Sequence, residues 1–261
     1  MTLESTALTF TYGAESVLTD IDLVIPDGRI TALVGANGSG KSTILKNLAR
    51  LLKPTRGSVL IDGKDIHTMG SKEVARRISI LPQKPEAPDG LRVAELVAYG
   101  RFSWQSPLAQ LNALDKDKIS SALELTGMKK FAERELSTLS GGQRQRAWIA
   151  MALAQDSRTM LLDEPTTFLD LAHQFEVLTL LKHLNRENGK TIVMVLHDLN
   201  QAANFADNMI VVSNGRVLRH GPPSEVIVPE VIAEAFGVVV DFIEDPKSGN
   251  RLVVPVALTE Q

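Results

Sequence analysis

The sequence predicts an α/β protein built around a mostly parallel β-sheet. Short apolar runs typical of buried strands alternate with amphipathic helical patterns, and such alternation favours parallel strands joined by helices. A glycine-rich loop, GANGSGKST, joins one strand directly to a helix. Residues 85–155 carry helical patterns but no strand pattern, which indicates a helical subdomain inserted into the α/β core.

The N-terminal part predicts an antiparallel β subdomain. ALTFTY and DIDLVI are β-rich runs separated by turn residues, and GSVLIDGKDI (57–66) is a hairpin pattern that turns at Asp62–Gly63. Between them, ITALVG (30–35) predicts a buried strand that leads into the glycine-rich loop. From Ser42 onward a helix that ends at Lys53–Pro54 is predicted by the apolar positions Ile44, Leu45, Leu48, Leu51 and Leu52.

The remaining elements follow in order. RRISILPQ (76–83) predicts a second buried strand that stops at Pro82, and VAELVAYGRF, DKISSALELTGM and QRAWIAMALA predict three helices of the inserted lobe. Strand patterns return in RTMLLDEP, KTIVMVLHD and NMIVVSNGRVL, with helical patterns at 171–188 and 198–206. VVVDFIEDPKSGNRLVVPV predicts a further hairpin that turns at Asp245–Asn250.

These patterns divide the chain into three parts. Residues 1–84 and 156–225 form the α/β core with its antiparallel subdomain, residues 85–155 form the helical subdomain, and residues 226–261 form a C-terminal extension with a hairpin. With 261 residues, the chain is long enough for such a core with an inserted lobe.

Composition excludes several classes of protein. The net charge of −3 gives no global electrostatic reason to bind nucleic acid, although it does not exclude a local basic patch. The chain has no cysteine, so disulfides, thiol nucleophiles and iron–sulfur ligation are excluded. The N-terminus lacks a signal-peptide pattern, and the apolar runs are shorter than the ~18 residues of a membrane span. We therefore expect a soluble chain whose membrane role, if it has one, comes through a partner.

The glycine-rich loop fits the phosphate-binding pattern G-x-x-x-x-G-K-[ST]. A glycine turn that matches by chance is the alternative, but a strand precedes the loop and an amphipathic helix follows it, as the pattern requires. Glycines let backbone N–H groups turn toward a phosphate, the lysine reaches the β- and γ-phosphates, and the serine hydroxyl is a ligand for Mg²⁺. The predicted phosphate-binding residues are Gly35, Ala36, Asn37, Gly38, Ser39, Gly40, Lys41, Ser42 and Thr43.

Two acidic residues, Asp163 and Glu164, end the apolar strand TMLL. Two solvent-facing acids would be the ordinary interpretation, but an α/β protein binds its ligands at this edge of the sheet. With the phosphate-binding loop in the same chain, Asp163 is the expected Mg²⁺ ligand. Glu164 is suited to orient or deprotonate the water that attacks the γ-phosphate.

Two further polar residues follow strands. His197 comes after TIVMVL and is placed to donate a hydrogen bond to the γ-phosphate, whereas the other histidines lack the spacing of zinc ligands, so no zinc site is predicted. Gln83 ends ISILPQ at the junction of sheet and lobe, where a neutral amide can touch Mg²⁺ or the attacking water.

A second glycine-rich helix start lies about a hundred residues after the first, in STLSGGQRQRAW (137–148). Serine is a preferred N-cap, so the exposed N–H groups of Ser140, Gly141, Gly142 and Gln143 predict a second anion site at the start of a helix that runs to about Ala154. A helix of ~10 residues spans ~15 Å, which carries this site away from the Mg²⁺ site of its own chain unless the helix folds back.

The order of GANGSGKST, LPQ, LSGGQ, LLDEP, FLD and LHD is similar to that of ABC-transporter ATPase subunits, and the resemblance covers residues 3–225. It implies a P-loop NTPase core, Mg²⁺-dependent ATP hydrolysis and a head-to-tail homodimer in which the LSGGQ of one chain closes over the ATP of the other. It also implies that Tyr12, otherwise a half-buried aromatic residue, stacks on adenine, and that Asp170 makes a contact across the dimer.

Two segments resemble a narrower group of importers, for iron–siderophore complexes, haem and cobalamin. They are LRVAELVAYGRFSW (91–104) and the C-terminal PSEVIVPEVIAEAFGVVVDFIEDPKSGNRLVVP. The resemblance favours an iron(III)–siderophore importer, with cobalamin and haem as alternatives. It implies a peripheral subunit on the cytoplasmic face of the inner membrane, separate integral-membrane permease subunits, an extracytoplasmic substrate-binding protein, and no nucleic-acid partner.

Proteins of other classes fit less well. A P-loop kinase or GTPase would have no use for LSGGQ, and a regulatory binder that does not hydrolyse ATP would lack Glu164 or His197. A non-transport ABC ATPase usually has two cassettes or long coiled arms, and this sequence has neither.

Overall fold

A computed structural model of the protein describes residues 1–106, 110–244 and 251–259. They form two compact units: Met1–Thr68 with Thr191–Gln261, and Met69–Lys190.

Strands and helices alternate along the chain. The first unit begins with β1 (Leu3–Tyr12), β2 (Glu15–Ile25), β3 (Ile30–Val34), α1 (Lys41–Leu48), β4 (Arg56–Ile61) and β5 (Lys64–Asp65). The second unit contains α2 (Ser71–Ala75), β6 (Ile78–Leu81), α3 (Val93–Tyr99), α4 (Ala113–Leu125), α5 (Gly141–Ala154), β7 (Thr159–Leu162) and α6 (Leu171–Asn188). The first unit is completed by β8 (Thr191–Val195), α7 (Leu199–Phe205), β9 (Asn208–Ser213), β10 (Arg216–Gly221), α8 (Pro223–Val226), α9 (Pro229–Phe236), β11 (Val238–Glu244) and β12 (Arg251–Leu258).

The first unit contains the antiparallel subdomain and a parallel part of the core. β1, β2, β4 and β5 form an antiparallel sheet in the order β2-β1-β4-β5. β3 pairs in parallel with β8 on one side and with β9 on the other, and β10 pairs with β9 antiparallel. All residues of β3 and β8 are buried, as expected for strands covered on both faces. The predicted antiparallel subdomain and parallel core are confirmed.

The helix after the glycine-rich loop is shorter than the sequence predicts. α1 ends at Leu48, not at Lys53–Pro54, because Arg50 has a left-handed backbone with φ of 60°. The N–H groups of Leu51 and Leu52 both donate to the carbonyl of Lys46, which closes the helix with a turn. The apolar periodicity continued through this turn, so the pattern alone overestimated the helix.

The second unit holds the helical lobe. β6 and β7 are parallel neighbours, and no strand lies between them in the part of the chain that the structure describes. α3, α4 and α5 pack together, and α5 also packs against α6. α4 begins at Ala113, earlier than its apolar pattern suggests, because Asn112 caps it and accepts a hydrogen bond from the N–H of Asp115.

The C-terminal hairpin is present as the antiparallel pair β11 and β12, with Val240 and Val253 buried. Its predicted turn, Asp245–Asn250, lies outside the described residues. Among the helices that the structure describes, none has the length and apolar character needed to cross a bilayer.

Candidate functional site

The phosphate-binding loop connects the buried strand β3 to α1 in the first unit. Residues 36–38 are exposed at its tip, whereas Ser39 and Lys41 are buried. The loop closes on itself because the N–H of Ser39 donates to the carbonyl of Ala36 over 3.2 Å. α1 begins at Lys41, so the N–H groups of the helix start face the loop.

Gly35 has no room for a side chain. Its φ is 150°, and a Cβ would lie 2.1 Å from the carbonyl oxygen of Val212 and 2.8 Å from Ser39 Oγ. Any other residue would therefore push β9 away from the loop. The hydroxyl of Ser39 is buried and has no hydrogen-bond partner among the residues that the structure describes, so this tight turn retains an unsatisfied polar atom.

Lys41 holds the loop from within. Its Nζ donates to the carbonyls of Gly35, at 2.9 Å, and Ala36, at 2.7 Å, although the side chain is buried. A charged ammonium at this depth needs oxygen partners, and phosphate oxygens are chemically equivalent ones. Lys41 is thus placed where an anion bound by the loop would be contacted.

His197 lies beside this loop at the same edge of the parallel strands. Leu33 of β3 pairs with Val195 of β8, so Gly35 and His197 each lie two residues beyond that pair. The N–H of Leu196 also donates to the carbonyl of Leu33 over 3.1 Å, which keeps the two strands together up to this edge. His197 is exposed and follows its strand directly.

Tyr12 ends β1 in the same unit. Its ring meets Phe10 edge to face with centroids 4.8 Å apart, and 49% of the residue is exposed. One ring face therefore remains accessible for stacking on a planar group.

In the second unit, Asp163 and Glu164 follow β7, and Gln83 follows β6. Leu81 pairs with Leu162, so Gln83 and Glu164 each lie two residues beyond that pair, and the Nε2 of Gln83 donates to Glu164 Oε2 over 2.6 Å. Asp163 is buried, and its N–H donates to the carbonyl of Leu81.

The Glu164 carboxylate has a second donor that the sequence analysis did not identify. Thr167 Oγ1 donates to Glu164 Oε2 over 2.9 Å. Glu164 also has a left-handed backbone, with φ of 54°, which is unusual for a residue with a Cβ and is typical of functional sites. The turn Glu164–Thr167 thus fixes both the direction and the orientation of this side chain.

The segment LSGGQ (139–143), which we call the signature segment, leads into α5 as predicted, and α5 is called the signature helix. Ser140 is the N-cap: its Oγ accepts from the N–H of Gln143, and Gln143 Oε1 accepts in return from the N–H of Ser140. Ser140 and Gly141 are exposed, whereas Gly142 is buried. The N–H groups of Ser140 and Gln143 are thus bonded to each other's side chains, and Ser140 and Gly141 form the exposed part of this helix start.

His173 connects Asp170 to the start of α5. The sequence analysis did not assign His173 to the site. Asp170 caps α6 and accepts hydrogen bonds from the backbone N–H of His173, at 2.9 Å, and from its Nδ1, at 2.7 Å. These bonds lower the pKa of Asp170 below its ordinary value. A Cβ on Gly142 would lie 2.3 Å from Cδ2 of His173, so the imidazole packs directly against the signature helix.

The sequence profile of the ABC transporter family matches residues 18–167. The chain belongs to the ABC transporter family. It is an ABC ATPase, as its fold and its relatives agree.

Named relatives of this ABC ATPase match almost end to end. The chain is 50% identical to the iron(3+)-hydroxamate import ATP-binding protein FhuC of Bacillus subtilis (strain 168), over 95% of this chain and 91% of that protein. It is 46% identical to the ferric enterobactin transport ATP-binding protein FepC of Escherichia coli (strain K12), over 98% of this chain and 95% of that protein.

Solved structures agree on the fold of this ABC ATPase. A metal-chelate type ABC transporter in an inward-facing conformation is similar with a TM-score of 0.85 and 28% identity, covering 97% of this chain and 96% of that chain. A dimeric bacterial ABC transporter cassette is similar with a TM-score of 0.74 and 32% identity, covering 85% of this chain and 98% of that chain.

Proposed function

We propose that this ABC ATPase hydrolyses ATP to energise the uptake of an iron(III)–siderophore complex through a separate membrane permease. The observation that carries the proposal is the similarity to two ATP-binding proteins over nearly the whole chain, at 50% and 46% identity. Their names describe the import of iron(3+)-hydroxamate and the transport of ferric enterobactin. Cobalamin or haem is the alternative cargo. A non-transport ABC ATPase is the alternative class.

The nucleotide is held by residues of the first unit. The glycine-rich loop (residues 35–43) binds the phosphates through its N–H groups and through Lys41, and Tyr12 stacks on the adenine. The absence of space at Gly35 and the buried position of Lys41 support this assignment, because they give the loop one fixed conformation.

The residues present also fit Mg²⁺. The hydroxyl of Ser42, the carboxylate of Asp163 and the amide oxygen of Gln83 are the hard oxygen ligands that this ion prefers. Mg²⁺ held by these oxygens would neutralise negative charge on the phosphates of the nucleotide. The remaining chemistry belongs to the side chains of the protein.

Glu164 is the residue that activates water. Its carboxylate is oriented by Gln83 and Thr167, which both donate to Oε2. That arrangement supports a base that accepts a proton from water while Gln83 senses the nucleotide. Lys41 and His197 stabilise the charge on the γ-phosphate.

Each nucleotide site is completed by a second copy of the chain. Ser140, Gly141, Gly142 and Gln143 supply the anion site in trans, and Asp170 makes a contact across the dimer. The exposed position of Ser140 and Gly141 at the start of α5 and the likeness to a dimeric cassette support this pairing. We retain the domain assignment of residues 1–84 with 156–225, 85–155 and 226–261 as part of the proposal.

The permease contact is proposed on the segment 91–104 of the helical lobe. Tyr99, Phe102 and Trp104 are 56%, 71% and 39% exposed, and large exposed aromatic residues in one short segment are typical of protein interfaces. The cell location that follows is the cytoplasmic face of the inner membrane. An extracytoplasmic binding protein would deliver the cargo, and no nucleic acid is involved.

Uptake measurements test the cargo. A strain that lacks this chain is complemented with the wild type or with Lys41→Ala and is given labelled ferric hydroxamate, ferric catecholate, haem or cobalamin. We expect the wild type alone to restore uptake of a ferric siderophore. Restored uptake of only haem or cobalamin would replace the proposed cargo, and restoration by Lys41→Ala would contradict ATP-driven transport.

A further inference from the structure

Asn200 holds the C-terminal hairpin by two hydrogen bonds. Its Oδ1 accepts from the N–H of Val253 over 2.7 Å, and its Nδ2 donates to the carbonyl of Val253 over 3.2 Å. The amide side chain thus pairs with the backbone of β12 as a neighbouring strand residue would. An amide side chain offers an acceptor and a donor on two separate atoms, as this pairing with a backbone C=O and N–H requires.

Asn200 belongs to the element that directly follows His197. Asp198 is the N-cap of α7, and its carboxylate accepts from the N–H of Gln201 over 2.8 Å. Asn200 lies in the first turn of that helix, three residues after His197. Because α7 has only seven residues and Asn200 lies in its first turn, we expect a displacement at Asn200 to reach the cap Asp198 and the residue before it.

Val253, the residue of the hairpin to which Asn200 is bonded, is also held in place by packing and by strand pairing. Val253 is 6% exposed and Val240 is 7% exposed, so the hairpin buries one face. Val253 pairs with Phe242 across the hairpin, which makes the clamped residue part of the β11–β12 ladder and not of a loose end. The two hydrogen bonds therefore connect two ordered elements.

We propose that the C-terminal hairpin is a positioning element for His197, acting through the pair of hydrogen bonds between Asn200 and Val253. The inference rests on the proposed function, since it concerns the imidazole assigned to the γ-phosphate. His197 is exposed at the end of β8, and its backbone continues directly into α7. A hairpin that fixes α7 limits the positions available to this side chain. A misplacement of ~1 Å at a reacting group is sufficient to slow a reaction severely.

The test compares Asn200→Ala with a matched control, Asn204→Ala, an exposed asparagine on the same helix. We expect Asn200→Ala to lower kcat for ATP hydrolysis about tenfold with KM for ATP unchanged, because the residues that bind the nucleotide are untouched. Hydrogen exchange of residues 199–205 and 251–258 should become faster only in Asn200→Ala. Asn204→Ala should keep the wild-type kcat.

A second pair of variants guards against misfolding. Asn200→Asp keeps the acceptor for the Val253 N–H but removes the donor, so an intermediate kcat is expected. Val253→Pro removes the N–H that Asn200 accepts, and its effect on kcat should not add to that of Asn200→Ala if both act through the same bond.

Each outcome decides the inference. An unchanged kcat in Asn200→Ala with faster exchange of both segments overturns it, as does unchanged exchange of both. The proposed function is tested separately by His197→Ala. If that variant hydrolyses ATP at the wild-type rate, the role of His197 is wrong. If it is inactive while Asn200→Ala is fully active, only the hairpin inference fails.

Discussion

Single side chains at the carboxyl ends of strands carry the chemistry that we propose for this chain. The register of β6 and β7 pairs Leu81 with Leu162. The residues two positions further on, Gln83 and Glu164, are therefore neighbours, and Gln83 Nε2 lies 2.6 Å from Glu164 Oε2. The same spacing beyond Leu33 and Val195 places Gly35 beside His197. In each case a strand pairing fixes which functional residues are neighbours, because the buried strands leave no freedom to slip.

Glu164→Gln is predicted to separate binding from hydrolysis. The amide keeps the size of the side chain and an acceptor for Thr167, but it is not a base, so kcat should fall by a factor of about 10²–10⁴ with ATP binding retained. An ATP-bound dimer should accumulate and be seen by gel filtration. Glu176→Gln, the same change at an exposed residue of α6, is the control. Rapid turnover by Glu164→Gln would refute the assignment of the base.

Alanine substitutions at two adjacent glycines, Gly141 and Gly142, are predicted to change the stability in opposite directions. A Cβ on Gly142 would lie 2.3 Å from Cδ2 and 3.1 Å from Cβ of His173, whereas a Cβ on Gly141 would only make an ordinary contact, 3.5 Å from Leu169. Gly142→Ala should therefore lower the free energy of unfolding by about 1–3 kcal/mol. Gly141→Ala should raise it by about 0.5 kcal/mol through helix propensity.

Urea unfolding of both glycine variants measures this difference. Equal stabilities would mean that His173 moves away from α5 without cost. That result would remove the packing between the signature helix and the helix capped by Asp170.

At the scale of elements, the sequence predicted whether a segment is a helix or a strand better than it predicted the residue at which the element ends. The α5 cap at Ser140 and the span of α6 follow from local patterns and local capping chemistry. The end of α1 was wrong because a left-handed residue, Arg50, carries no sequence signal comparable to glycine. The partners of Thr167, His173 and Asn200 depend on contacts that only the folded chain creates, so no motif indicated them.

The turn after β5 makes stability depend on pH. His67 is partly buried, and this burial lowers its pKa below 6.5; Arg50 and Lys53 act in the same direction, while Asp65 and a hydrogen bond to the Leu52 backbone oppose them. The unfolded chain therefore binds more protons than the native chain between the two pKa values. Stability should fall as the pH drops below about 6.5 toward the native pKa.

His67→Gln is predicted to reduce this acid sensitivity. Glutamine does not titrate, so the stability of the variant relative to wild type should be higher at pH 5 than at pH 7.5 in urea unfolding. His183→Gln, the same change at an exposed position of α6, is the control. A relative stability of His67→Gln that does not change with pH would contradict the link between burial and titration.

At the scale of the whole molecule, the decisive property is that the two anion sites proposed for one chain lie in different units. Lys41 belongs to a loop in one unit, and Ser140 caps a helix in the other. If the active site combines Lys41 of one copy with Ser140 of a second, the two can be damaged in different chains. Mixed dimers then distinguish a shared site from a site within one chain.

The prediction uses Lys41→Ala and Ser140→Arg in two arrangements. With one substitution in each chain, a shared site leaves one of the two sites intact, so the mixed dimer should hydrolyse ATP although both homodimers do not. With both substitutions in one chain and a wild-type partner, each shared site is damaged once, and activity should be lost. A site contained in one chain predicts the reverse, because the wild-type partner would then keep a complete site. ATP hydrolysis by purified, differently tagged dimers therefore gives opposite results for the two architectures.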